Sequence, residues 1–205
     1  MEIVKFFQNG GPFMYPILLV FAIGLAIAIE RFLFLSRTHS LTVKVWTQLV
    51  PMLKASDFQR AVKLVESIKT PLSSVLGYGF ARHSANKPRE AIESAMEEGM
   101  MDAMPDLEQR THYLATYANV ATLLGLLGTI VGLIQAFTAV AAADPAEKAD
   151  LLSASISVAM NTTAFGLMAA IPLLLLHSYL VTKTAHVVGN LEKAAIKSLN
   201  LITND

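Results

Sequence analysis

LLGLLGTIVGLIQAF, residues 123–137, decides how this chain folds. The run is apolar and carries Gly125, Gly128 and Gly132 beside a lone hydroxyl, Thr129. In a soluble helix each interior glycine costs about 1 kcal/mol against alanine. In a membrane small residues are useful, because they let helix backbones approach closely. The stretch therefore reads as a membrane helix, and the composition agrees. Of 205 residues, 54% are hydrophobic and 16% charged, against about 25% charged in a soluble domain. Sixteen basic and sixteen acidic side chains cancel, so no net field points to nucleic acid as a partner. The chain has no Cys, which removes disulfides, zinc–thiolate sites and cysteine nucleophiles. Its five His show no HxxxH or HExxH spacing, and no metal or cofactor is expected.

Upstream, Asp106–Ala143 reads as a single helix that begins after a break or bend at Pro105. Its length is on the order of 55 Å at 1.5 Å per residue, beyond a bilayer core of about 30 Å. Its charged first turns stand in water, and residues 111–143 form the membrane part. Downstream, residues 144–150 form a polar turn, and 151–182 form another uncharged segment. Pro172 is expected to kink that segment, which membrane helices tolerate. Residues 183–205 extend it into water. Near the N-terminus, residues 12–35 form the first apolar stretch, with no charge between Pro12 and Ile29. The rival reading is a cleaved leader with its site at Ala26-Ile27-Ala28. Glu2 and Lys5 leave no positive n-region, and the run resumes as Phe32-Leu33-Phe34-Leu35. Glu30-Arg31 reads as an interfacial ion pair, with Arg31 snorkelling towards water.

Residues 36–110 carry ten Lys/Arg and nine Asp/Glu, with apolar residues at helical spacing. They read as a water-exposed bundle of short helices opening at Ser56 or Asp57, at Thr70-Pro71 and at Lys87-Pro88. The fold class is an all-α integral membrane protein with three transmembrane helices and a small helical bundle. Basic residues concentrate in the large loop and the tail, so these face the cytoplasm and residues 1–11 lie outside.

The second and third spans share a short turn and pack antiparallel. Ala118, Thr122, Gly125, Thr129, Gly132 and Ala136 lie on roughly one face of the second. Ser155, Ala159, Thr162, Gly166 and Ala169 do so on the third, beside Ser153, Ser157, Asn161 and Thr163. Two readings stay open. Small residues can simply pack the helices, with hydroxyls bonded to the preceding turn, which suits Ser153, Ser155 and Ser157. Alternatively, Asn161-Thr162-Thr163 opposite Gly128-Thr129 can line a hydrated path for a small cation, because polar groups at mid-membrane need partners or water. The spans hold no mid-membrane Asp, Glu, Lys, Arg or His, and His177 lies late in the third span at the interface. Ion transfer usually needs an ionisable group, so a partner must supply the carboxylate. No nucleophile–base pair or metal cluster can be assembled, which disfavours an enzyme.

Residues 121–137, ATLLGLLGTIVGLIQAF, and 156–172, ISVAMNTTAFGLMAAIP, closely resemble the two signature helices of the MotA/TolQ/ExbB proton-channel family. The likeness covers essentially the whole chain and is closest to the ExbB/TolQ branch. It implies an inner-membrane motor subunit with a periplasmic N-terminus, assembled as a homopentamer whose second and third spans line a pore. A dimer of a single-span ExbD/TolR-like partner would occupy the pore and supply an Asp. The ion gradient would then power a TonB- or TolA-like protein. By motif the pore threonines correspond to Thr129 and Thr163. Two positions depart: Thr122 stands where the family usually has Pro, and Val158 where it commonly has Glu. The second leaves proton or sodium open and shifts coordination onto Ser157, Asn161, Thr162 and Thr163. Gly125, Gly128, Gly132, Gly166 and Pro172 are expected to serve helix packing, the glycines between second and third spans of neighbouring subunits. A motility stator and a non-conducting scaffold are the alternatives.

Overall fold

The computed structural model describes Phe7 and residues 10–203. Glu2 and Lys5, which bear on the leader question, lie outside the described residues. The elements are α1 (Met14–Lys54), α2 (Phe58–Ser67), α3 (Pro71–Ser84), α4 (Arg89–Glu108), α5 (Thr111–Ala142) and α6 (Lys148–Thr203). Among the described residues there is no strand. Three stretches are long and apolar enough to cross a membrane: α1, the run Arg89–Ala142 that contains α4 and α5, and α6. The chain is an all-α, multi-pass membrane protein.

The first apolar stretch is part of a much longer helix. α1 continues through Ser36 and past Pro51 to Lys54. The reason is a buried stripe that ignores the change in composition. Met14, Ile17, Gly24, Ala28, Arg31, Leu35, Thr38, Thr42, Val45 and Leu49 are all buried. After one seven-residue step from Ile17 to Gly24 they recur at alternating four- and three-residue steps, the period of helices that wind about one another. α6 is built the same way: Leu180, Thr184, Val187, Leu191, Ala194, Ser198 and Ile202 are buried beyond its apolar half. Pro172 lies inside this single helix.

The chain divides into two compact units. One comprises the described residues up to Ile29 together with Arg110–Tyr179; the other comprises Glu30–Gln109 and Leu180 onward. In the second unit the helix starts follow local chemistry. The Asp57 carboxylate accepts from the Arg60 backbone N–H at 3.4 Å. Thr70 caps α3 by accepting from the Ser73 N–H at 3.1 Å, with Pro71 in the first turn. Pro88 sits at the N-cap of α4 rather than inside it. α3 and α4 press together where Gly99 faces Val75: a Cβ on Gly99 would stand 2.9 Å from the Val75 Cα. Tyr78 Oη donates to Asp102 Oδ2 at 2.7 Å across the same pair. That bond, reinforced by the Asp102 charge, holds the phenol above its ordinary pKa. Its contribution to stability is therefore present at neutral pH and is lost as pH rises through the raised value.

The structure departs from the sequence expectation at Pro105 and at Arg31. The helix break does not fall at Pro105. α4 runs through that residue to Glu108, and the chain turns at Gln109 and at Arg110, whose φ is +63°. A proline near a helix end loses little, whereas this left-handed turn sits on a residue type that gives no compositional warning. Arg31, secondly, does not reach towards water. It is 1% exposed, and its Nη2 donates to the carbonyls of Asp106 at 2.9 Å and Leu107 at 2.7 Å. A guanidinium suits this place, because a helix C-terminus presents unpaired carbonyls and partial negative charge. Glu30 stands 3.9 Å from it, so the ion pair is a secondary contact.

Replacing Arg31 by Leu removes both charge-assisted bonds and should lower unfolding stability by about 2–3 kcal/mol. Chemical denaturation of the detergent-solubilised protein measures this; a change below about 0.5 kcal/mol, the range of ordinary surface substitutions, contradicts the assigned role.

Candidate ion-path site on the second and third spans

The site lies in the first unit, where α5 packs on α6. The buried row of α5 is Leu114, Ala118, Ala121, Gly125, Gly128 and Ala136. It meets Ala159, Thr162 and Gly166 of α6, all buried, as is Ala169 one turn further on. Small residues on both sides let the backbones touch. A Cβ on Gly166 would lie 2.7 Å from the Ala121 carbonyl oxygen and 3.0 Å from the Gly125 Cα. A Cβ on Gly125 would lie 3.2 Å from the Gly166 Cα, and one on Gly132 would lie 3.0 Å from the Ala159 Cβ. The glycines thus pack second span against third within one chain, whereas the sequence reading placed that packing between neighbouring subunits.

This close approach gathers oxygen atoms. Thr163 Oγ1 donates across the interface to the Gly125 carbonyl at 3.1 Å. Thr129 Oγ1 is 3.2 Å from the same carbonyl and 3.2 Å from the Ala159 carbonyl of α6. The Thr129 and Thr163 hydroxyls are also hydrogen-bonded to each other. Each hydroxyl carries a single proton, so two hydroxyl protons are shared among four contacts. The cluster is rich in lone pairs and poor in donors. A water, a protonated acid or a small cation would meet acceptors there. Both threonines are half-buried, and neither is sealed in the core.

The other predicted residues separate. Thr162 is 2% exposed, and its hydroxyl donates to the Gly10 carbonyl at 2.6 Å, with the Val158 carbonyl at 3.1 Å. It fastens the N-terminal turn to α6. Asn161 is half-buried and Ser157 exposed, on α6. Pro172 is exposed. Val158 lies beside that same turn: a Cβ on Gly11 would stand 3.4 Å from the Val158 Cγ1. Gly11 has φ +76°, a conformation that favours glycine. Phe7 adds edge-to-face contacts with Phe165 and Tyr15, at centroid distances of 5.7 and 5.3 Å. Sequence reasoning missed this turn, although Gly10-Gly11-Pro12 is a turn signal. It also missed the Gly125 and Ala159 carbonyls, which side-chain patterns do not reveal. No Asp, Glu, Lys, Arg or His occurs in residues 113–143 or 151–176. Among the described residues no group of His, Asp and Glu is placed to hold a metal.

The sequence pattern of the MotA/TolQ/ExbB proton channel family matches residues 67–193. A protein described as a biopolymer transport ExbB homolog in Methanothermobacter thermautotrophicus is 27% identical over 93% of this chain and 67% of its own length. The Tol-Pal system protein TolQ of Haemophilus influenzae is 37% identical over 42% of this chain and 37% of its own length. The biopolymer transport protein ExbB of Aquifex aeolicus is 32% identical over 38% of this chain and 52% of its own length. The chain thus spans between about a third and two thirds of these relatives.

The backbone contact makes opposite forecasts for two glycines of α6. Gly166→Ala should lose about 1–3 kcal/mol through overpacking. At Gly189 a Cβ meets nothing within 4 Å, so Gly189→Ala should gain about 0.5–1 kcal/mol from helix propensity. Unfolding of the two purified variants tests this; equal effects would refute the close approach.

Proposed function

The chain belongs to the MotA/TolQ/ExbB proton channel family, and on that premise we propose that it is the ion-driven motor subunit of a TonB- or Tol-like energy-transduction complex. The family is a channel family rather than an enzyme family. The observation that carries the proposal is the donor-poor oxygen cluster formed by Thr129, Thr163 and the carbonyls of Gly125 and Ala159. Hydroxyl and carbonyl oxygens attract a proton carrier or a sodium ion without trapping it, as conduction requires. Asn161 and Ser157 extend the polar face of α6. Thr162 supports the site by anchoring the N-terminal turn.

The cluster contains no group that can take up and release a proton near neutral pH. We assign that step to an Asp on an ExbD/TolR-like single-span partner held within a homopentamer of this chain. The exposed Leu123, Ile134, Phe137 and Leu175 of the spans suit lipid or further subunits. Residues 12–35, 111–143 and 151–182 are the proposed transmembrane segments of an inner-membrane protein. Residues 1–11 and 144–150 would then be periplasmic, and 36–110 and 183–205 cytoplasmic. The moving partner would drive a TonB- or TolA-like protein. One feature favours a second reading, a scaffold without ion flow: Val158, where the family resemblance leads one to expect Glu, offers no carboxylate to an ion.

In cells that depend on this complex, Thr129→Val with Thr163→Val should reduce energised function at least tenfold while co-purification with the partner persists. Undiminished function would favour the scaffold. Collapse of both the proton and the sodium gradient should abolish activity; activity that survives would exclude an ion-driven motor.

A further inference from the structure

A second surface, in the other unit, has a chemistry that the ion path leaves unused. α4 and the end of α6 lie side by side there. Arg89, at the start of α4, donates from Nη1 to Thr203 Oγ1 and from Nη2 to Asn200 Oδ1, each at 2.6 Å. Beyond this clamp the two helices flank a trough with a volume of 550 Å³. Its floor is methionine: Met96, Met100, Met101 and Met104 of α4, with Ala195, Ile196 and Leu199 of α6. Four of the chain's nine Met thus fall within one short stretch. The lining includes the carboxylates Glu93, Glu97 and Glu192, and no Lys or Arg. Lys193 and Lys197 are near in sequence but do not line it. Met101 is 72% exposed and Ile196 59%.

A trough of exposed apolar side chains inside a rim of carboxylates has the make-up of a binding groove. Unbranched, polarisable Met side chains adapt to different apolar partners. A trough about three turns long between two helices matches an amphipathic helix that presents apolar anchors at i, i+3, i+4 and i+7. The one-signed lip fixes the charge of that helix. We propose that this trough receives a basic amphipathic helix of another protein, its apolar face on the methionines and its Lys/Arg beside Glu93, Glu97 and Glu192. The role is the same in a conducting or a non-conducting assembly.

The test uses the full chain in nanodiscs of zwitterionic lipid. The probe is a fluorescent synthetic Leu/Lys amphipathic helix of about five turns, 18 residues. Wild type should bind it, and added salt should weaken binding. Glu93→Gln with Glu97→Gln and Glu192→Gln should bind about tenfold more weakly, the sum of three lip contacts of ordinary surface strength. Met101→Asn with Ile196→Asn should also weaken binding. A Leu/Glu helix of the same length should not bind. Equal binding by wild type and both variants overturns the proposal, as does equal binding of the Leu/Glu helix. Because the chain has no Cys, Met101→Cys gives a unique thiol. Its disulfide cross-linking to a second copy in the membrane would show that the trough is covered by this same chain, and would overturn the proposal; a monomeric thiol accessible to the bound probe supports it.

Discussion

Everything at the candidate site follows from the absence of two side chains. Gly125 and Gly166 let α5 and α6 meet backbone to backbone, with no room for a Cβ on either. In lipid there is little hydrophobic drive to join helices, so close van der Waals contact and shared hydrogen bonds must do it. The contact supplies both. It brings the Gly125 carbonyl of one helix within 3.1 Å of the Thr163 hydroxyl of the other. The feature that packs the spans is also the one that concentrates their oxygen atoms.

That concentration leaves an imbalance. Two hydroxyl protons serve four oxygen contacts, and no charged side chain stands in the flanking membrane segments. A half-buried cluster with surplus acceptors favours a donor from outside it. For the ion path proposed above, hydroxyls suit better than carboxylates, because they solvate a passing ion weakly enough to release it. Adjacent residues of α6 divide the labour. The Thr163 hydroxyl bonds to the Gly125 carbonyl of α5, whereas the Thr162 hydroxyl secures the N-terminal turn through Gly10 while its methyl lies against Gly128 of α5.

The apolar spans and the small-residue faces were legible in residues 123–137 and 156–172, because a run of glycines without charge has few explanations outside a membrane. The caps at Asp57 and Thr70 were legible too, being decided by local chemistry. The long continuation of α1 was hidden, because its buried stripe includes Arg31, Thr38 and Thr42, which hydropathy counts as surface. Arg31 itself was misread, because its partners are carbonyls about 75 residues away that no pattern announces. The break at Arg110 escaped for a related reason: nothing in its side chain marks a left-handed turn, whereas Pro105 carries a signal that the helix overrides. Val158 was noticed as an absence, and only the structure puts it beside the Gly10–Gly11 turn.

The central claim is that this chain supplies a path of neutral oxygens and another chain supplies the charge. Ion flux into proteoliposomes tests it most directly, read with internal pH- and sodium-sensitive dyes. The chain should be silent alone, conduct when reconstituted with its single-span partner, and fall silent again when the partner's membrane Asp is replaced by Asn. Equal flux from this chain by itself, or from the Asn-substituted complex, would contradict the account.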